Sequence, residues 1–136
     1  MGQQQLLLII LGVIIVGIAI AVGLSLFSAQ SVQANKDAII NDINNIAANA
    51  YQFRIRPVSM GGGGGVYNNS KGSTAGYTVP AKMSSNENAT YTAQVQDADN
   101  VVILGQNPTN PTQMSVQATL GSDGRLTSWS YGSEFQ

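Results

Sequence analysis

Cysteine and histidine are both absent from the 136 residues. Without cysteine there is no disulfide and no thiolate nucleophile, so a small domain in this chain must hold together by packing alone, and the redox compartment stays open. Without histidine the usual acid–base group of neutral pH is missing as well. The acids are Asp37, Asp42, Glu87, Asp97, Asp99, Asp123 and Glu134, and only Asp97 and Asp99 stand close together, in Gln96-Asp97-Ala98-Asp99-Asn100. An EF-hand calcium loop needs more spaced oxygen ligands and a distal glutamate, so a solvated turn is expected there. No activated nucleophile, tuned acid–base pair or metal-ligand cluster is legible, and the expectation is a protein that is no enzyme and carries no cofactor.

Charge is scarce too. Six Lys/Arg stand against seven Asp/Glu, and the first charged side chain is Lys36. That balance leaves no basic patch for nucleic acid, which is excluded as the primary partner, or for a strongly anionic membrane surface. Polarity comes instead from Asn, Gln, Ser and Thr, which suits an exported surface protein.

What the first part has in abundance is apolar sequence. Leu6 to Phe27 reads LLLIILGVIIVGIAIAVGLSLF, 22 residues without a charge. As a helix it is ~33 Å long, enough for the ~30 Å hydrocarbon core of a bilayer. It is too long for a secretory h-region, and no Lys or Arg precedes it. Membrane topology is normally set by such basic flanks, so a basic leader removed ahead of Met1 is the expected explanation, making Met1 the mature amino terminus.

Beyond Ser28 the composition turns polar but the helical rhythm persists. Val32, Ile39, Ile43, Ile46, Ala50 and Phe53 recur on one face, while Asn35, Asp37, Asn41, Asp42, Asn45 and Asn49 largely fall on the others. Neither Gly nor Pro interrupts Leu24 to Arg56; Pro57 and the run Gly61 to Gly65 stop the pattern. One helix from about Gln3 to about Ile55, ~80 Å long, is predicted. Tyr51 and Phe53, at helix spacing, read as packing residues rather than a stacking platform.

After the glycines, β-type segments alternate with turn residues: Tyr77–Val79, Ala89–Val95, Val101–Leu104, Gln113–Leu120 and Arg125–Tyr131. Gly121-Ser122-Asp123-Gly124 suits a hairpin turn between the last two. The result is an antiparallel sheet with one apolar face, too small to form a core alone, so Ile39, Ile43, Ile46, Ala50 and Phe53 are expected to cover it. Gly61 to Gly65 lacks the lysine of a phosphate loop, since Val66-Tyr67-Asn68 follows, and reads as a flexible linker or a tightly packed filament loop. Asn68-Asn69-Ser70 and Asn88-Ala89-Thr90 fit the N-glycosylation pattern, making Asn68 and Asn88 candidate sites. The organisation expected is an apolar helix over 1–27, its amphipathic continuation over 28–56, a glycine-rich loop over 57–76 and a small β-domain over 77–136.

In these residues the chain resembles the bacterial type IV pilin and pseudopilin family: Met1 at the mature start, the unbroken LLLIILGVIIVGIAIAVGLSLF, the amphipathic continuation through Phe53, and a Gly-rich loop leading to a β-rich end. The resemblance spans the architecture, but its residue-level motif is confined to roughly the first thirty positions. It implies an α+β lollipop, a long helix on an antiparallel sheet. It also implies cleavage and N-methylation at Met1 by a prepilin peptidase, storage in the inner membrane, and extraction by pilus assembly machinery into a homopolymer at the cell surface. Leu8, Leu11, Gly12, Ile15, Gly17, Ile18, Val22 and Gly23 would then pack in the filament core. Two positions depart from the family. Gln5 stands where a glutamate usually pairs with a neighbour's amino terminus, and an amide hydrogen-bonds an ammonium without neutralising it. Val22 stands where a proline is frequent. A cut between Gly2 and Gln3 would look more like archaeal pilins and flagellins. Other readings are a pseudopilin of a secretion system and a single-span, membrane-anchored surface domain.

Overall fold

The computed structural model describes residues 2–73 and 75–136. It is an α+β structure in which one helix, α1 (Gly2–Ile55), precedes strands β1 (Thr90–Val95), β2 (Val101–Gln106), β3 (Ser115–Leu120) and β4 (Leu126–Tyr131). The chain divides into two units between Ala34 and Asn35, inside α1.

The first unit is helix alone. From Leu6 to Phe27 its large apolar side chains lie on every side and are between 53% and 73% exposed. This is what a run without polar spacing must give, because no stripe is left to distinguish an inner face from an outer one.

The second unit, Asn35–Gln136, carries the core. Its strands form an antiparallel meander in the order β1-β2-β3-β4. Period-2 alternation places Tyr91, Val101, Ile103, Val116, Ala118 and Leu120 in the core, where each is buried. Against them lie Ile39, Ile43, Ile46, Ala47 and Ala50 of α1, also buried, so the helical stripe and the sheet face cover one another. Gly105 marks a close approach, since a Cβ there would stand 2.8 Å from both Ile39 Cγ2 and Tyr91 Cε1.

Strand β4 reads as simple alternation only until its register is followed. Thr119 faces Thr127 but Gln117 faces Ser130, so β4 spends an extra residue opposite Ala118. Ser128 absorbs it with φ +53°. The bulge brings Trp129 back to the face of Leu126, which has the wrong parity in an unbroken strand. The turn Gly121–Gly124 forms as expected, with the Gly121 amide donating to the Arg125 carbonyl at 3.0 Å and Gly124 at φ +80°.

Two expectations change. Tyr77–Val79 is not a strand: it joins no ladder of the sheet, and its Tyr77 is instead a buried anchor whose ring lies 5.6 Å from that of Phe53. Nor are the five glycines a flexible linker. Helix ends leave carbonyls without partners, and here the amides of Gly63, Gly64 and Gly65 donate to the carbonyls of Phe53, Arg56 and Arg54 at 2.8, 2.9 and 2.6 Å. The run wraps back over the last turn of α1 as a backbone cap. Positive φ at Gly61, Gly64 and Gly65 lets it turn that tightly, and a Cβ on Gly63 would overlap the Val66 carbonyl oxygen.

Candidate assembly surface

The sequence-selected residues fall into two groups. Gln5, Leu8, Leu11, Gly12, Ile15, Gly17, Ile18, Val22 and Gly23 all belong to the first unit and are all exposed. A Cβ on Gly12, Gly17 or Gly23 would meet nothing within 4 Å, so nothing in this chain's own packing requires glycine there. Met1, the expected processing site, lies outside the described residues. Among the described residues α1 is long and apolar enough to cross a membrane. Sixteen large apolar side chains between Leu6 and Phe27 are exposed. At roughly 1.5–3 kcal/mol for each one buried, leaving them in water costs on the order of tens of kcal/mol. That sum favours an apolar surrounding, and the helix has the length and composition to find one in a membrane.

The second group, Ile39, Ile43, Ile46, Ala50 and Phe53, lies against the sheet and the loops beside it. The four up to Ala50 are buried and Phe53 is half-buried. Ala47, not singled out in the sequence, joins them.

Polar groups fringe this seam, and most were invisible as partners in the sequence. Asn35 Oδ1 accepts from Asn107 Nδ2 at 3.2 Å, and Asn35 Nδ2 donates to the Asn88 carbonyl at 3.4 Å. The Asp42 carboxylate accepts from the Tyr91 hydroxyl and from Asn86 Nδ2, the latter at 2.9 Å. Tyr77 donates to Asn49 Oδ1 at 2.9 Å. Asn35, Asp42 and Asn49, each half-buried, therefore tie the helix to the sheet and its loops at the edge of the core. Burial raises the Tyr91 hydroxyl well above its usual range, and its hydrogen bond to Asp42 adds to the effect. Burial likewise pushes Tyr77 up to about 12.

At the capped end of α1, Arg54 gathers the loops. Its guanidinium lies 3.1 Å from Asp99 Oδ1, donates to the Ala98 carbonyl at 3.2 Å and covers the Tyr67 ring at 5.1 Å. Tyr67, fully buried, donates its hydroxyl to the Gly121 carbonyl at 2.8 Å. Burial pushes its pKa up to about 12 even with Arg54 pulling the other way. Asp97 Oδ1 accepts from Asn100 Nδ2 and from the amides of Asp99 and Asn100, which builds the turn and, through the Asn100 side chain first, lowers the carboxyl below its ordinary range. The acidic pair thus divides its work: Asp97 shapes the loop and Asp99 pairs with Arg54. Tyr51 lies over Gly124, where a Cβ would stand 2.9 Å from its ring.

Of the glycosylation candidates, Asn68 uses its side-chain oxygen to accept from the Ser70 amide at 3.0 Å, and Asn88 stands half-buried beside Asn35. Among the described residues no three His, Cys, Asp or Glu side chains cluster as metal ligands. Comparison of the chain with protein-family models, curated proteins and solved structures gives no match.

Proposed function

We propose that this protein is the structural subunit of an extracellular, type IV pilus-like helical filament. It waits in a membrane with Leu6–Phe27 inserted and polymerises by exchanging lipid for the same segment of other copies. The observation that carries this reading is the helix itself. A segment apolar on all sides runs without a break into a stripe that a folded sheet unit already covers. An anchor needs only to span, whereas α1 reaches well beyond a span, with 54 residues or ~81 Å of helix. The sheet unit has its own core, whereas the apolar segment has none and is the larger surface open to association.

Removal of detergent from the purified full chain tests this reading. Negative-stain images should show filaments of uniform width that sediment, withstand molar salt and return to subunits in detergent. A protein that stays monomeric and moves quantitatively into added vesicles is a single-span anchored domain, and that result refutes the filament reading. Short, capped stubs in place of long polymers point to the pseudopilin alternative.

A further inference from the structure

The half of α1 that meets the sheet also has an outward side, and its chemistry is unusual for a helix face in water. From Asn41 to Gln52 the exposed residues are Asn41, Asn44, Asn45, Ala48 and Gln52, an i, i+3, i+4 stripe without a charge. Charge is not missing from this half of the helix. It is turned elsewhere: Lys36 Nζ stands 4.3 Å from the Tyr131 ring centroid, Asp42 is bonded by Tyr91 and Asn86, and Arg54 pairs with Asp99. Asp37, one turn earlier, marks where the charge-free stretch begins.

Helix formation does not explain the stripe, because Asn is a poorer helix former than the Lys, Glu and Arg that usually fill such faces. Self-association does. A primary amide carries donors and an acceptor together, so a row of amides is complementary to its own copy, whereas a row of like charges repels its copy. Ala48 in the middle removes bulk and lets a second backbone approach. We infer that the stripe of Asn41, Asn44, Asn45 and Gln52 docks on the same stripe of a second copy. The polymer contact then extends from the apolar segment into a hydrogen-bonded helix–helix seam. The inference rests on the filament reading and adds a partner surface to it.

The test uses the full chain in two versions, Asn41→Lys/Asn45→Lys and Asn41→Asp/Asn45→Asp. Trp129 near-UV circular dichroism in micelles establishes that each folds as the parent does. After detergent removal each version alone should need more than about tenfold higher concentration to polymerise, because like charges face each other across the seam. Mixed one to one, they should co-polymerise near the parent's concentration, and added salt should weaken that rescue. Either version polymerising alone like the parent overturns the inference and leaves the filament reading standing. So does a folded pair that fails to co-assemble. If the aspartate version alone loses sedimentation with anionic vesicles while both polymerise normally, the stripe faces lipid, and the inference also falls. A parent chain that forms no polymer removes the filament reading itself, and this inference with it.

Discussion

Truncating Ile43 to alanine tests the helix–sheet seam most directly. Ile43 is 0% exposed at the centre of the buried stripe, between Ile39 and Ile46 and against the core of the sheet. The change removes three carbons, worth about 2.4 kcal/mol at ~0.8 kcal/mol each. A partly collapsed cavity adds to this, giving about 3 kcal/mol within the observed span for such truncations. For a unit of this size each kcal/mol moves Tm by roughly 4–8 °C, so the melting temperature should fall by about 12–24 °C. Ile43→Val should cost about 1 kcal/mol, and Ile55→Ala, at a side chain 61% exposed, less than about 0.5 kcal/mol. The assay is thermal melting of the full chain in micelles. Trp129 near-UV circular dichroism reports the sheet unit, and far-UV signal reports the apolar helix, which should persist. An Ile43→Ala protein melting within two or three degrees of the parent would mean that α1 does not cover the sheet, and the packing derived above would be wrong.

Gly63→Ala should destabilise the sheet unit by about 1–3 kcal/mol, since its Cβ is driven into the Val66 carbonyl and the cap on Phe53 is disturbed; chemical denaturation measures it. At high pH the unit should unfold as its buried tyrosines ionise. Tyr67 and Tyr77 are raised from 10.0 to about 12 in the fold, so their contribution is complete below pH 10 and lost as pH climbs toward 12. Tyrosinate absorbance and ellipticity should therefore change together; tyrosines ionising near pH 10 with the fold intact would contradict their burial. Ile15→Asp should abolish polymerisation while leaving the Trp129 melt unchanged, because a carboxylate in an apolar bundle has no partner. Filaments of normal yield from that variant would exclude Ile15 from the packed core.

The sequence was most legible where one period ran for many residues. Leu6–Phe27 is unbroken for long enough to fix a helix without an inward side, and the stripe from Ile39 through Phe53 repeats often enough to fix the face that packs. Apolar/polar alternation in Gln113–Leu120 and Arg125–Tyr131, with Gly121–Gly124 between them, marked the last hairpin. Local signals failed where the deciding partner is distant in the chain. Tyr77-Thr78-Val79 looks like strand, but Tyr77 is an aromatic anchor between Phe53 and Asn49, and its amide donates to the Tyr67 carbonyl at 2.8 Å rather than to a strand of the sheet. Five glycines look like slack until the orphan carbonyls of Phe53, Arg54 and Arg56 are there to receive their amides. Asp42 and Asn49 have the polarity of solvent positions, and only the folded sheet supplies Tyr91 and Tyr77 to bond them. Leu126 and Trp129 sit at odd spacing, and the bulge at Ser128 that reconciles them leaves no mark in composition.

From Gly2 to Asn35 the helix has no charged side chain. Those 34 residues make ~51 Å of helix against ~30 Å of hydrocarbon. Most single-span proteins are held at one depth by ionised side chains at both rims, and raising or lowering them drags an ion through the slab. Here Ser28, Gln30, Ser31 and Gln33 can dip into or leave the boundary at modest cost. A bilayer around this helix would therefore grip it without a detent: the helix would ride at several heights, suit membranes of different thickness, and come out a turn at a time along a nearly smooth slope.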